Sequence, residues 1–268
     1  MFVLIYEGEE KAAGRFRLRG RPAIEIEGSG GLRRVHALKT TVCRRDIQGD
    51  AGAARRLARM ASVLAELSCG TGICAESFGE HSSALLRVLG LREPDVRPLM
   101  RALAGRMALT ALGSRECELA AVYANRLTRE VAEAVALLSP RSRSIALMLR
   151  EDSERCADVL YAQYGVAAVC AEGVAAEAEL HLLFEPPRNG FSAGPNSVAV
   201  SLCGELPGLP PESYTSADIR PSEEFCPSGF RPVEIAAALY AQRELAPKNV
   251  RIVKLLGTDG GNNGNKLC

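Results

Sequence analysis

The sequence predicts an α/β protein in two parts: a small N-terminal β-sheet with helices, then a mostly parallel sheet with helices on both faces. Two observations carry this. From residue 114 on, short apolar runs alternate with segments of helical period, as in Glu118–Tyr123, the stripe Leu127, Val131, Val135 and Leu138, and then Ser144–Leu149. Strands separated by helix-length segments build parallel sheets, because only a crossover of that length returns the chain to the same edge. Ahead of that region, period-two alternation gives way to three- and four-residue spacing, which marks a strand-rich start followed by helices.

The chain opens on the apolar run Phe2-Val3-Leu4-Ile5-Tyr6, whose brevity suits a first strand. Arg15-Phe16-Arg17-Leu18-Arg19 and Ala23-Ile24-Glu25-Ile26-Glu27 alternate like half-exposed strands, with glycine-bearing breaks after each, and Leu32–Val42 is a further candidate. Together they predict a small antiparallel sheet whose arginine row forms its solvent face or protects an edge. Leu57, Met60, Ala61, Leu64 and Leu67 then share one helical stripe. Ala84, Leu85, Val88 and Leu89 predict a short helix ending at Gly90. Asp95 caps a third, with Val96, Leu99, Met100 and Leu103 on one side and Pro98 in the first turn, where proline is tolerated.

The boundary is expected near Gly113, giving an N-terminal region 1–113 and an α/β domain 114–257. After Ser144–Leu149, Asp152 or Ser153 caps a helix with Cys156, Val159 and Leu160 inward, and Val166–Cys170, Leu180–Phe184 and Ser197–Leu202 are further strands. Leu206–Arg231, rich in Pro and Ser, predicts a long loop. Pro232 opens a helix carrying Val233, Ala236, Leu239 and Tyr240, and Asn249–Leu256 is a last strand. Residues 258–268, which contain Gly260-Gly261-Asn262-Asn263-Gly264-Asn265, predict a disordered tail.

Composition narrows the function classes. The 268 residues carry 33 basic and 32 acidic side chains, net +1, without the positive excess that a general nucleic-acid binder uses to displace counterions. Aromatics are sparse, with six Tyr, seven Phe and no Trp, which disfavours a surface that stacks bases. No apolar run reaches the roughly 20 residues of a membrane span, and the start lacks a signal-peptide pattern. The nine cysteines are odd in number and several lie in apolar segments, as expected for buried thiols in a reducing cytoplasm rather than a disulfide scaffold.

The segment Glu118–Leu202 resembles a Rossmann-type dinucleotide-binding domain, of the sort found behind a separate substrate domain in shikimate-dehydrogenase-like enzymes. The resemblance rests on the strand Glu118–Tyr123, the turn Ala124-Asn125-Arg126-Leu127-Thr128, the helix behind it, and a second strand ending at Arg150-Glu151-Asp152. It is one of arrangement and covers about a third of the chain. It implies an NAD or NADP site with the pyrophosphate at that first turn, where helix N–H groups meet the anion. Asn125 and Thr128 would orient the turn, Arg126 or Arg129 would meet a phosphate, and Glu151 stands where an acid holds the adenosine ribose. Two features depart from the pattern. The turn contains no glycine, so side chains occupy the space that the backbone gives to a pyrophosphate. Glu151 and Asp152 also suit an ordinary acidic helix start. Any ligand is expected at the carboxyl ends of the strands, among Ala124-Asn125-Arg126, Arg150-Glu151-Asp152, Ala171-Glu172, Glu185–Asn189 and Gly204-Glu205.

A second cluster is Cys69-Gly70-Thr71-Gly72-Ile73-Cys74 with His81. Two thiolates and an imidazole are zinc ligands, with Cys43 or His36 as a fourth, and a thiolate beside an imidazole is also a nucleophile. The spacing lacks the Cys-x-x-Cys pairs of a zinc site, so a glycine-rich loop with buried thiols is the plainer expectation. His181 falls inside an apolar strand, where a hydrogen-bonded core role is expected. The leading functional expectation is a degenerate Rossmann-like domain acting as a non-catalytic or regulatory module that binds a small molecule or a protein. The alternatives are an NAD(P)-dependent oxidoreductase with an atypical glycine-free phosphate turn, and a Cys- or zinc-dependent enzyme centred on Cys69 and Cys74.

Overall fold

The structure is a computed structural model that describes residues 1–8, 25–28, 36–42, 52–151, 153–171, 175–187, 190–221 and 226–257. The Arg15–Arg19 row, Cys43, Asp152 and the segment 258–268 lie outside the described residues. The chain divides into two compact units, Met1–Val96 with Ile219–Arg251, and Arg97–Asp218 with the chain from Ile252.

The first unit is built on β1 (Phe2–Glu7), which pairs in parallel with β3 (His36–Val42) and with β4 (Thr71–Cys74). β2 (Glu25–Gly28) pairs antiparallel with β3. Phe2, Val3, Leu4 and Ile5 are fully buried. A parallel strand covered on both faces has no polar side, hence the unbroken apolar run. The sheet expected to be antiparallel is therefore parallel at both pairings of β1. Helix α1 (Ala53–Glu66) lies between β3 and β4, and a helical crossover brings the next strand back in the same direction. The short, glycine-bearing Thr71-Gly72-Ile73-Cys74 reads in sequence as the end of a helix, which hides β4.

Helix α1 buries Leu57, Met60 and Leu64, as their spacing demands, while Leu67 lies exposed past its end. Helix α2 (Ser82–Val88) buries Leu85 and Leu86, with Leu89 following. Its buried face differs from the expected stripe, since Val88 is 55% exposed and Leu86 takes the inward position.

The second unit begins ahead of the expected boundary, with helix α3 (Arg97–Leu112). Its strands are β5 (Cys117–Ala124), β6 (Ser142–Leu149), β7 (Val169–Cys170), β8 (Leu180–Leu183), β9 (Val198–Ser201) and β10 (Glu212–Pro221). The sheet order is β7-β6-β5-β8-β9-β10, with β11 (Val250–Gly257) beyond β10. From β7 to β10 every pairing is parallel. Counted from β5, the order is 3-2-1-4-5-6, that of a Rossmann-type doubly wound sheet. Helices α4 (Arg129–Leu138) and α5 (Ser153–Tyr164) make the crossovers from β5 to β6 and from β6 to β7. The strand β10 occupies part of the expected long loop. Ser213, Ala217 and Ile219 are its buried residues, and its last residue is Pro221, at a strand end where a missing N–H does little harm. Helix α6 (Pro232–Ala241) opens on its proline as predicted and buries Ile235 through Leu239.

Helix α3 packs on α4 and on β8 and β9. Gly105 permits this approach: a Cβ there would lie 2.8 Å from the Ala134 Cα and 3.2 Å from its Cβ. On one face of the sheet Ala121, Tyr123, Leu183 and Ala199 form a core cluster with Ala178 and Phe191. Residues from loops, Ala175, Ala193, Leu206 and Leu209, complete that cluster. Register puts His181 between Ala121 and Ala199. His181 is fully buried, its Nδ1 3.3 Å from the Tyr123 hydroxyl and its ring edge-on to Phe191 at 5.0 Å, while its Nε2 has no partner. Burial pushes this imidazole down to about 4.

Two outcomes follow for stability. Gly105→Ala forces a methyl against the backbone of α4 and should cost about 1–3 kcal/mol in urea denaturation. For His181 the folded value lies below the ordinary 6.5, so between pH 6.5 and 4 the unfolded chain takes up a proton that the folded one refuses. Stability from this group is present above that window and falls as the pH is lowered through it, by about 3 kcal/mol at most. The urea midpoint of His181→Phe should therefore fall less over this range than that of the parent protein; parallel profiles would contradict the assignment.

Candidate functional site

The order of the sheet reverses at β5, between β6 and β8, and the carboxyl ends of these strands meet there. In doubly wound sheets ligands sit at that crevice. After β5 the chain turns through Asn125–Leu127 into α4. Thr128 is the N-cap, with extended backbone, and its hydroxyl accepts the Val131 N–H at 3.4 Å. Glu130 lies in the first helical turn. Its carboxyl is held below the ordinary value: burial alone would raise it, but hydrogen bonds from its own backbone N–H and the Thr128 hydroxyl, together with the charges of Arg101 and Arg129, outweigh that. The start of α4 thus carries an anion of its own, where a Rossmann domain receives the pyrophosphate.

The end of β6 is clipped to this turn. The backbone N–H groups of Arg150 and Glu151 both donate to the Asn125 carbonyl, at 3.1 and 3.0 Å. The Arg150 guanidinium donates to the Pro186 carbonyl. From α3, Arg101 reaches the end of β8: its Nη1 donates to Glu185 Oε1 at 3.0 Å and to the Phe184 carbonyl at 3.1 Å. The guanidinium also lies 5.2 Å from the centre of the Phe184 ring. Arg101, Asn125, Arg126, Thr128, Glu151 and Glu185 line a cleft of about 340 Å³. The Asn125 side-chain oxygen is buried there without a hydrogen-bond partner.

The four residues expected to meet a cofactor, Asn125, Arg126, Thr128 and Glu151, therefore share one cleft. Glu185 was among the strand-end residues that the sequence singles out. Arg101 was not, because it precedes the strands in the chain and in sequence is one arginine among the apolar residues of a helix. Cys69, Cys74 and His81 are not brought together. Cys69 precedes β4 and Cys74 ends it, and the strand's rise of roughly 3.3 Å per residue keeps them too far apart for one metal, while His81 is exposed. The Cys69 thiol is near the carbonyls of Met1 and Thr71, that of Cys74 near the carbonyl of Ser82. Burial, and then the nearby charges of Glu234 and Glu93, push the Cys74 thiol up to about 12, the opposite of an activated nucleophile. Among the described residues no group of three or more His, Cys, Asp or Glu side chains is placed to hold a metal ion. No helix among them is long and apolar enough to cross a membrane.

No family model matches the chain, and no match is found among curated proteins. Solved structures that match include a quinate dehydrogenase from Corynebacterium glutamicum in complex with NAD. It aligns over 93% of this chain and 94% of that one, with 11% identity and a TM-score of 0.35. At that level of likeness the fold assignment rests on the strand order of the sheet itself.

The cap at Thr128 has a measurable weight. Thr128→Ala leaves the Val131 N–H without its side-chain partner and Glu130 without a hydroxyl donor. It should cost about 1 kcal/mol by chemical denaturation.

Proposed function

We propose that this protein is a non-catalytic or regulatory binding module on a degenerate Rossmann-type domain, with its ligand site in the cleft of Arg101, Asn125, Arg126, Thr128, Glu151 and Glu185. The observation that carries this reading is the closed start of α4. Thr128 and Glu130 use the groups that a pyrophosphate would meet, and the Glu130 carboxylate repels a second anion there. The glycine-free turn adds side chains where a dinucleotide needs bare backbone. The cleft volume, about 340 Å³, stands near the lower end of the roughly 300–1,000 Å³ of ligand pockets, which suits a small molecule. Cys69, Cys74, Cys117, Cys203 and Cys226 stand outside any disulfide, in keeping with a reducing, cytoplasmic setting.

One specific observation favours a second reading, an NAD(P)-dependent oxidoreductase. Glu151 follows β6 and lines the same cleft, the place from which an acid holds an adenosine ribose in sheets of this strand order.

A thermal-shift titration with NAD, NADH, NADP and NADPH separates the two. A ligand that binds only the folded state stabilises it by about 2.7 kcal/mol at a hundredfold excess over its dissociation constant. The binding-module reading expects no saturable shift with any of the four at millimolar concentration. A saturable shift lost on Glu151→Ala or Arg126→Ala overturns the reading of a closed phosphate turn and supports the dinucleotide site that the oxidoreductase reading requires.

A further inference from the structure

The fold brings Cys156 and Cys170 to one edge of the second unit's sheet. Cys156 lies in the first turn of α5 and is buried. Cys170 ends β7, where it pairs with Leu147 of β6. Both are thiols. Helix α5 follows β6 directly, so its first turn stands at the carboxyl end of that strand, two residues beyond which Cys170 has no further partner.

Register also fixes the face. Neighbouring residues of a strand point to opposite sides of the sheet. Met148 packs against the Tyr123 cluster. Leu147 therefore points to the other face, and Cys170, level with it in a parallel pairing, points the same way. Helix α5 packs on β6 and β7. The Cys170 thiol is hydrogen-bonded to the backbone of Ala157, the residue next to Cys156. Disulfide-bonded residues have Cα atoms about 4.4–6.8 Å apart. Contact of one thiol with the backbone beside the other needs little movement to reach that range.

We propose that Cys156 and Cys170 form a reversible disulfide that ties the first turn of α5 to the edge strand β7 under oxidising conditions. Hydrogen peroxide oxidises the half-buried Cys170 thiol to a sulfenic acid and is itself reduced to water. The Cys156 sulfur then attacks the Cys170 sulfur, the S–O bond breaks, and a second water leaves with the Cys156 proton. Burial pushes the Cys170 thiol up, and the thiolate is the reactive form, so the pair stays reduced at rest and closes faster as the pH rises. The strand β7 has two residues and stands at the end of the sheet order, so packing on α5 holds it in place. Helix α5 begins two residues after Glu151 of the cleft, and the bond anchors the chain beside that site.

Peptide mapping of the full chain after hydrogen peroxide treatment, with remaining thiols alkylated, tests this. Cleavage after Arg155 and Arg188 releases one peptide, residues 156–188, that contains Cys156 and Cys170 and no other cysteine. It should lose two hydrogens, escape alkylation, and become alkylated again after dithiothreitol. The bond should form faster at about pH 8.5 than at about pH 7. Closing a loop of roughly 15 residues should raise the melting temperature by about 4–10 °C. Cys170→Ser and Cys156→Ala should each remove both the bond and the rise. The inference is overturned if both cysteines remain alkylated once the exposed Cys226 has been oxidised, or if either is found joined to a different cysteine. A bond that forms only in denaturant, or one that leaves the melting temperature unchanged or lower, overturns it as well.

Discussion

The pairing of β5 with β6 on one side and β8 on the other is the constraint on which the second unit depends. A parallel strand in that position is buried on both faces, so its side chains must be apolar throughout, and Ala120 to Ala124 are buried without exception. The same pairing forces the chain out of the sheet at the carboxyl end of β5 and places the ends of β6 and β8 beside it. Every polar group of the candidate site except Arg101, which reaches it from α3, enters there. The site is therefore a consequence of strand order, and its residues come from points of the chain as distant as Arg101 and Glu185.

What the chain puts at that crevice is its own solution to the electrostatics of a helix start. A helix N-terminus attracts an anion because its first N–H groups lack partners and its dipole is positive at that end. Dinucleotide-binding domains leave the position vacant and line it with glycine. Here Thr128 caps the helix and Glu130 brings the negative charge. Stability of α4 and openness to a pyrophosphate are competing uses of the same N–H groups, and one of them, the Val131 N–H, is taken by the Thr128 hydroxyl. The unsatisfied oxygen of Asn125 runs the other way, as a polar group held in a costly state beside a cleft.

The first unit follows the same rule of coverage with a smaller sheet. β1 is central and wholly apolar over Phe2–Ile5, and Thr40 reaches Met60 of α1 through its hydroxyl at 3.8 Å. Cys69 and Cys74 belong to this packing. Their thiols are buried and meet backbone carbonyls, the behaviour of small hydrophobes with a weak donor.

The sequence by itself determined the elements that have a strong period or a rigid terminus. The α/β class, the stripe of α1, the proline start of α6 and the alternation of β5, α4 and β6 were all legible, because burial of one helix face or both strand faces writes itself into residue spacing. Asn125, Arg126, Thr128 and Glu151 were legible as strand-end residues for the same reason. Tertiary structure alone decided the rest. Parallel pairing of β1 with β3 and β4 depends on crossovers between distant segments, and neither β4 nor β10 has a period strong enough to mark it locally. Gly105 lets α3, which carries Arg101, approach α4, and only the fold brings the Glu130 carboxyl, the Thr128 cap and the Arg101 charge together at the start of α4. Periodicity records which faces are buried; it does not record against what they are buried, and the chemistry of a cleft is made from that second fact.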